Sequence, residues 1–238
     1  MITYVGETGS TNADLKSRVA EGEYLSEGDW LVTDRQTAGR GRLGRIWSDG
    51  YGNFMGSTVV RPGLGDPPTP SLALLSGIAA STALSAFLGK GVALMLKWPN
   101  DLLVGGFKVG GILLEATRDV VVIGIGVNLA NSPDVPGRQV AALSEFGPAP
   151  GRNDFAKALA DTFETELVRW RTAGLAPLLR RWHSAAHPVG TPLTVLPPGE
   201  SAVYGTFAGL ADDGNLRLVL SDGTIRTIHA GDVLLAEA

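Results

Sequence analysis

The chain has 238 residues, a formal net charge of −4, a hydrophobic fraction of 44% and a charged fraction of 18%, which fits a globular protein with a sizeable core, as one large domain or a large one plus a small one. It contains no cysteine, which excludes disulfides, thiol catalysis and thiolate metal sites, and its acidic pI near 5.4 argues against a general nucleic-acid binder. No apolar run approaches the ~18 residues needed to cross a bilayer and Met1-Ile2-Thr3-Tyr4 lacks the features of a signal peptide, so the expectation is a cytoplasmic protein without a membrane or nucleic-acid partner.

Residues 2–5 can form a first strand, and Ser10-Thr11-Asn12 offers capping side chains ahead of a helix over 13–20. The compact run 30–33 predicts a strand that delivers the chain into Gln36-Thr37-Ala38-Gly39-Arg40-Gly41-Arg42-Leu43-Gly44-Arg45-Ile46-Trp47, and 54–60 predicts the strand that leaves it. Four prolines mark 62–70 as a connector, and Ser71 is expected to cap a long apolar helix reaching about residue 88. Strands are expected over 93–98, 102–104 and 107–115, the last two joined by a Gly105-Gly106 turn, and over 120–127, where β-branched residues suggest a central strand. After a loop-like stretch over 131–150, Asn153 is expected to cap a helix to about 172, stopped by Gly174 and followed by a short helix near 178–184. From about 189 short alternating runs are broken by Pro197-Pro198-Gly199, Asp213-Gly214 and Asp222-Gly223. Such Asp-Gly pairs signal hairpins and predict a small β-barrel appended to a mixed α/β domain.

The segment from Gln36 to Trp47 interleaves glycine with arginine and holds no acidic residue. Glycine lets the backbone approach a ligand, and arginine supplies a fork of donors for carboxylate or phosphate. A mobile basic loop and an RGG-like nucleic-acid contact are the competing readings. Three further segments join it. Lys97-Trp98-Pro99-Asn100-Asp101 places polar groups at a strand end, where sites on sheets are built, although such a stretch can also be a plain turn. Phe107-Lys108-Val109-Gly110-Gly111-Ile112 sets one lysine beside a glycine pair, and Gly124-Ile125-Gly126-Val127-Asn128 clears room for a flat ligand. The last is no dinucleotide fingerprint, because Asn131-Ser132-Pro133 stands where a helix must open. Gly105-Gly106-Phe107-Lys108 lacks P-loop spacing, and His183 and His187 lack the glutamate of a zinc peptidase.

In this order the Ser-Thr-Asn motif, the Gly-Arg-Gly-Arg loop, Lys-Trp-Pro-Asn-Asp, Lys108 to Ile112 and Gly124 to Asn128 resemble the biotin protein ligases over nearly the whole chain. The resemblance implies an α+β fold: a class II aminoacyl-tRNA synthetase-like mixed sheet with flanking helices over residues 1–187 and an SH3-like C-terminal unit over 188–238. It also suggests the monofunctional form, since the chain begins almost at Ser10 and leaves no room for an N-terminal winged helix. The implied reaction converts biotin and ATP to biotinyl-5′-adenylate and pyrophosphate, then passes biotin to a lysine of a biotin carboxyl carrier domain, with Mg²⁺ as an expected cofactor whose ligands stay unassigned. Carried over by position, Ser10, Thr11 and Gln36 are expected at the biotin ureido end with Asn12 also on biotin, Arg40, Gly41 and Arg42 over the carboxyl and phosphate, and Gly110, Gly111 and Gly126 in the floor. Lys108 is expected on the carboxylate and adenylate oxygens, Arg40, Arg42, Arg45, Trp47 and Asn128 on the nucleotide side, and Asp101 as an orienting or acceptor-side carboxylate. A lipoate or octanoate ligase and a non-catalytic biotin-binding regulator are the alternatives.

Overall fold

The computed structural model describes residues 1–48 and 50–235; the last three residues of the expected C-terminal unit lie outside the described residues. In chain order it runs β1 (Ile2–Thr8), α1 (Thr11–Ala20), β2 (Trp30–Gln36), β3 (Phe54–Val60), α2 (Leu72–Ser85), β4 (Leu94–Lys97), β5 (Asp101–Val104), β6 (Phe107–Thr117) and β7 (Val120–Val127). Then follow α3 (Arg152–Ala173), α4 (Leu175–Ala185), β8 (Pro192–Leu196), β9 (Val203–Leu210), β10 (Leu216–Val219), β11 (Ile225–Ile228) and β12 (Asp232–Leu235). The first seven strands form one sheet in the order β1-β2-β3-β7-β6-β5-β4, parallel between β1 and β2 and antiparallel elsewhere. The last five form an antiparallel sheet in the order β11-β10-β9-β8-β12. The fold is α+β, with the mixed sheet and the small C-terminal β-unit that the resemblance implies.

The alternation of side chains along a strand explains how β7 builds both the core and the site. Val121, Ile123, Ile125 and Val127 point to one face, into the core under α2 and α3. Val120 and Val122 point to the other, where they pack with Leu15 and Val19 of α1. Gly124, against Asn12 at the start of α1, and Gly126 continue that second face and line an open cavity. Thus the valines receive the apolar face of a helix, and the glycines let Asn12 and the Trp47 indole approach the sheet closely.

On the helical face the large aromatic residues interlock. Phe54 meets Phe155 edge-on at 5.1 Å between ring centroids, Trp30 meets Phe163 at 5.4 Å, and Trp170 Nε1 donates to Ser71 Oγ at 2.8 Å. Truncating a buried Phe of this kind costs about 3–5 kcal/mol. The same core continues into Leu193, Val195, Phe207 and Leu216 of the second sheet. His183 stitches the two parts, its Nε2 accepting from Leu210 N–H at 2.9 Å.

Several local expectations shift. Ser71 does not cap α2 with its side chain; its hydroxyl donates to Pro68 O at 2.6 Å, and the helix stops at Ser85. The N-cap of α3 is Gly151, two residues before Asn153, so Asn153 lies inside the helix. Ser10 does cap α1, accepting from Ala13 N–H at 3.5 Å, and Gly174 ends α3 with φ 77°.

Candidate active site

The segment after β2 folds back over the sheet as a hairpin-like flap. Ala38 N–H donates to Gly9 O at 2.8 Å, Trp47 N–H to Gly39 O at 3.0 Å and Gly41 N–H to Arg45 O at 2.8 Å. Gly39 is required by close approach, because a Cβ there would lie 2.7 Å from Trp47 O. At the tip Leu43 adopts φ 57° beside Gly44 at φ 72°. A left-handed leucine is disfavoured by about 1–2 kcal/mol, and Leu43 and Ile46 stand exposed.

Beneath the flap lies a cavity of about 1050 Å³. Its two ends differ in chemistry. At one end, beside Ser10, the uncharged residues Thr11, Asn12, Gln36 and Ser57 form a polar network: Thr11 N–H donates to Gln36 Oε1 at 2.9 Å, Thr11 Oγ1 lies 2.6 Å from Ser57 Oγ, and Ser57 donates to Asn12 Oδ1 at 2.6 Å. Asn12 Nδ2 then donates to Glu115 Oε2 at 2.8 Å, and Lys16 pairs with the other oxygen of Glu115 at 2.6 Å. Burial opposes the Glu115 charge, but Lys16 and Asn12 hold it below the ordinary glutamate value.

The other end is cationic. Asp101 sits between two lysines, with Lys108 Nζ at 2.5 Å and Lys97 Nζ at 2.9 Å. Burial resists ionisation of Asp101, yet the two ammonium groups hold its carboxyl below the usual range. Burial also pulls Lys108 below the ordinary lysine value, against the attraction of Asp101. Every polar side chain of Lys97-Trp98-Pro99-Asn100-Asp101 is engaged. Lys97 also donates to Val233 O at 2.9 Å, Trp98 Nε1 to Gly214 O at 3.1 Å, and Asn100 Nδ2 to Ile112 O at 2.6 Å. Arg42 Nη1 reaches Asn100 Oδ1 at 3.2 Å, and Arg45 Nη1 reaches Asp232 Oδ1 at 2.9 Å. The short C-terminal strand β12 therefore closes one wall of the cavity.

The comparisons agree with this architecture. Residues 8–128 match the model of the Biotin/lipoate A/B protein ligase family, and residues 191–235 match the Biotin protein ligase C terminal domain. The chain belongs to the biotin/lipoate A/B protein ligase family. It is 37% identical over 225 residues to a biotin–[acetyl-CoA-carboxylase] ligase of Paracoccus denitrificans, covering 90% of this chain and 92% of that one. It is 34% identical over 236 residues to the protein of the same name from Mycobacterium tuberculosis, covering 97% and 87%. Among solved structures, a biotin protein ligase from Aquifex aeolicus in complex with biotin and ATP superposes with a TM-score of 0.84 at 28% identity, over 100% of this chain and 99% of that one.

Within this family member the expected site residues mostly gather round the one cavity: Ser10, Thr11, Asn12, Gln36, Arg40, Gly41, Arg42, Arg45, Trp47, Asp101, Lys108, Gly111, Gly126 and Asn128 all line it. Gly110 does not. It shares the helix-covered side of β6 with Ile112, and a Cβ on it would meet Leu102 and Gly126 O, each at 2.9 Å. Trp47, expected on the nucleotide side, lies over Gly111 and Gly126. Asn128 is buried, with Nδ2 donating to Ala141 O at 3.2 Å. Sequence reasoning missed Asp232, Arg138, Ser57 and Glu115. Asp232 and Arg138 lie in segments without a motif, whereas Ser57 and Glu115 fall on the cavity-side register of their strands and could have been found from that alternation.

Proposed function

We propose that this chain joins biotin to a lysine of a biotin carboxyl carrier domain, with ATP as the activating substrate. The observation that carries the reading is the polarity split of the cavity. An uncharged network of donors and acceptors suits a ureido ring, a glycine floor and the Trp47 indole suit a flat bicycle, and the cationic end suits a carboxylate meeting a triphosphate. In the first step a biotin carboxylate oxygen bonds to the α-phosphorus as the bond to the β-phosphate oxygen breaks, releasing pyrophosphate. In the second, the acceptor amine attacks the acyl carbon, loses a proton and expels AMP. Bringing two anions together needs fixed positive charge in a water-poor site, and positioning plus charge stabilisation supplies the catalysis. Arg40, Arg42 and Lys108 are assigned to the carboxylate and α-phosphate, and Asp101 to the orientation of Lys108.

A lipoyl or octanoyl chain offers nothing to the polar network of Thr11, Asn12 and Gln36, and a site built to hydrogen-bond its ligand rejects analogues that lack those groups. This favours biotin. The relatives named above carry acetyl-CoA carboxylase in their names, which supports a carboxylase carrier domain as the acceptor and, with it, a cytoplasmic setting. Mg²⁺ finds no protein cage: among the described residues no three His, Asp or Glu side chains group to hold a metal, and Asp101 and Asp232 both bind cationic side chains. The ion belongs to the proposal as part of the nucleotide substrate, bound by phosphate oxygens. Among the described residues no helix is long and apolar enough to cross a membrane. The boundary between the two units is placed at 187/188, where α4 has ended and the second sheet is about to begin.

Two-stage assay tests the whole reading: biotin-dependent pyrophosphate release from ATP, then labelled biotin on an added carrier domain. Release without transfer would favour a regulator that makes and holds the adenylate.

A further inference from the structure

Arg138 belongs to a segment without any recognisable motif, yet the fold sets it in the cavity wall. Gly137, at φ 72°, turns the chain there, and Arg138 N–H donates to Val135 O at 3.1 Å. The residues that follow are tied to Lys108. Its N–H donates to Gln139 O at 2.9 Å, and its carbonyl accepts from Ala141 N–H at 3.0 Å. Arg138 is therefore held at a fixed offset from that lysine.

Its guanidinium lies 3.9 Å from Asp232 Oδ2, the same carboxylate that pairs with Arg45. Desolvation first, then repulsion from Arg138 and Arg42, holds Arg45 below the ordinary arginine value, so three guanidiniums converge on this corner. The cavity wall carries Arg40, Arg42, Arg45, Lys97, Lys108 and Arg138 against Asp101 and Asp232, six cations to two carboxylates and an excess of four. That concentration stands in a chain whose net charge is −4. Lys97 and Lys108 already share Asp101, which leaves most of the surplus, three of the four charges, on the arginines. Planar guanidiniums match phosphate oxygens in pairs, and local surplus charge of this size fits a polyphosphate better than a single carboxylate.

We propose that Arg138 is a direct ligand of the ATP polyphosphate, working with Arg45, while Asp232 of the C-terminal sheet keeps both guanidiniums on that corner. The inference rests on the adenylate-forming reading above and adds a residue from a segment that reading does not use.

The test compares the unmodified chain with Arg138→Gln and Arg138→Lys in biotin-dependent ATP–pyrophosphate exchange and in transfer to a carrier domain. Arg138→Gln should raise KM for ATP by about tenfold or more, weaken inhibition by pyrophosphate in parallel, and leave KM for biotin within about twofold. Arg138→Lys should recover part of the loss, and unchanged thermal melts would separate the effect from misfolding. An unaltered KM for ATP overturns the proposal, as does a change confined to KM for the carrier, which would place Arg138 on the acceptor side. If the unmodified chain showed no exchange, the reaction would be misassigned; calorimetric ATP affinities of the same proteins would still decide, equal affinities counting against Arg138.

Discussion

Trp47 lies against Gly126: a Cβ on that glycine would stand 2.9 Å from the indole Nε1. The flap and the sheet floor thus meet through one ring, and the absent side chain of Gly126 is what lets them meet. Gly126→Ala should push the indole aside at a cost of about 1–3 kcal/mol, since the added methyl overlaps the ring. Biotin affinity should fall about tenfold or more through loss of fit. Titration calorimetry beside a thermal melt checks this, and unchanged affinity would mean the ring and the ligand do not share this space.

Lys108→Ala should lower adenylation by about 10²–10³-fold, the usual effect of removing a donor aimed at developing charge. The fold should persist because Asp101 keeps Lys97 at 2.9 Å. Single-turnover pyrophosphate release measures it, and a rate within a factor of about three of the unmodified chain would remove Lys108 from the chemistry.

Glu115, paired with Lys16, fixes Asn12, and Asn12 in turn holds Ser57 within the polar network of the cavity. Glu115→Ala should raise KM for biotin by about five- to tenfold, the cost of one lost charge-assisted hydrogen bond. KM for ATP should not move. Equal changes in both constants would point to a general loosening of the sheet.

Arg171 on α3 holds Glu27 at 2.8 Å and Asp66 at 3.2 Å. The hydrogen bond from Arg171 is the main reason that the Glu27 carboxyl titrates below the usual 4.5. A lowered folded value means that the stabilisation is present above the unfolded value and is lost as pH falls through the folded one. Arg171→Met should therefore cost about 1 kcal/mol near pH 7, the groups being partly exposed. The difference should narrow below about pH 4. Urea unfolding of both proteins at the two pH values reads it, and a pH-independent difference would assign the effect to packing.

Much of this was legible in the sequence, because it rests on local signals. Apolar, β-branched runs and, after about residue 189, short alternating segments marked the strands, Asp213-Gly214 and Asp222-Gly223 marked hairpins of the second sheet, and Gly39 to Arg45 marked the flap over the cavity. Alternation also held information that went unused: Gly110 and Gly111 are neighbours, yet only Gly111 faces the cavity. What a single sequence could not carry is pairing at long range. Arg45 and Asp232 are 187 positions apart, and nothing local to Asp232 or to Arg138 shows that the fold brings them together. Caps slipped for a related reason: Ser71 does stand at the N-cap of α2 but its hydroxyl turns back to Pro68 O, and the backbone enters α3 at Gly151 instead of Asn153.

ATP–pyrophosphate exchange, with biotin, lipoate and octanoate offered separately, tests the central claim most directly. The split cavity predicts exchange with biotin and none above background with the other two acids. Exchange supported by lipoate or octanoate, or tight biotin binding without exchange, would contradict it.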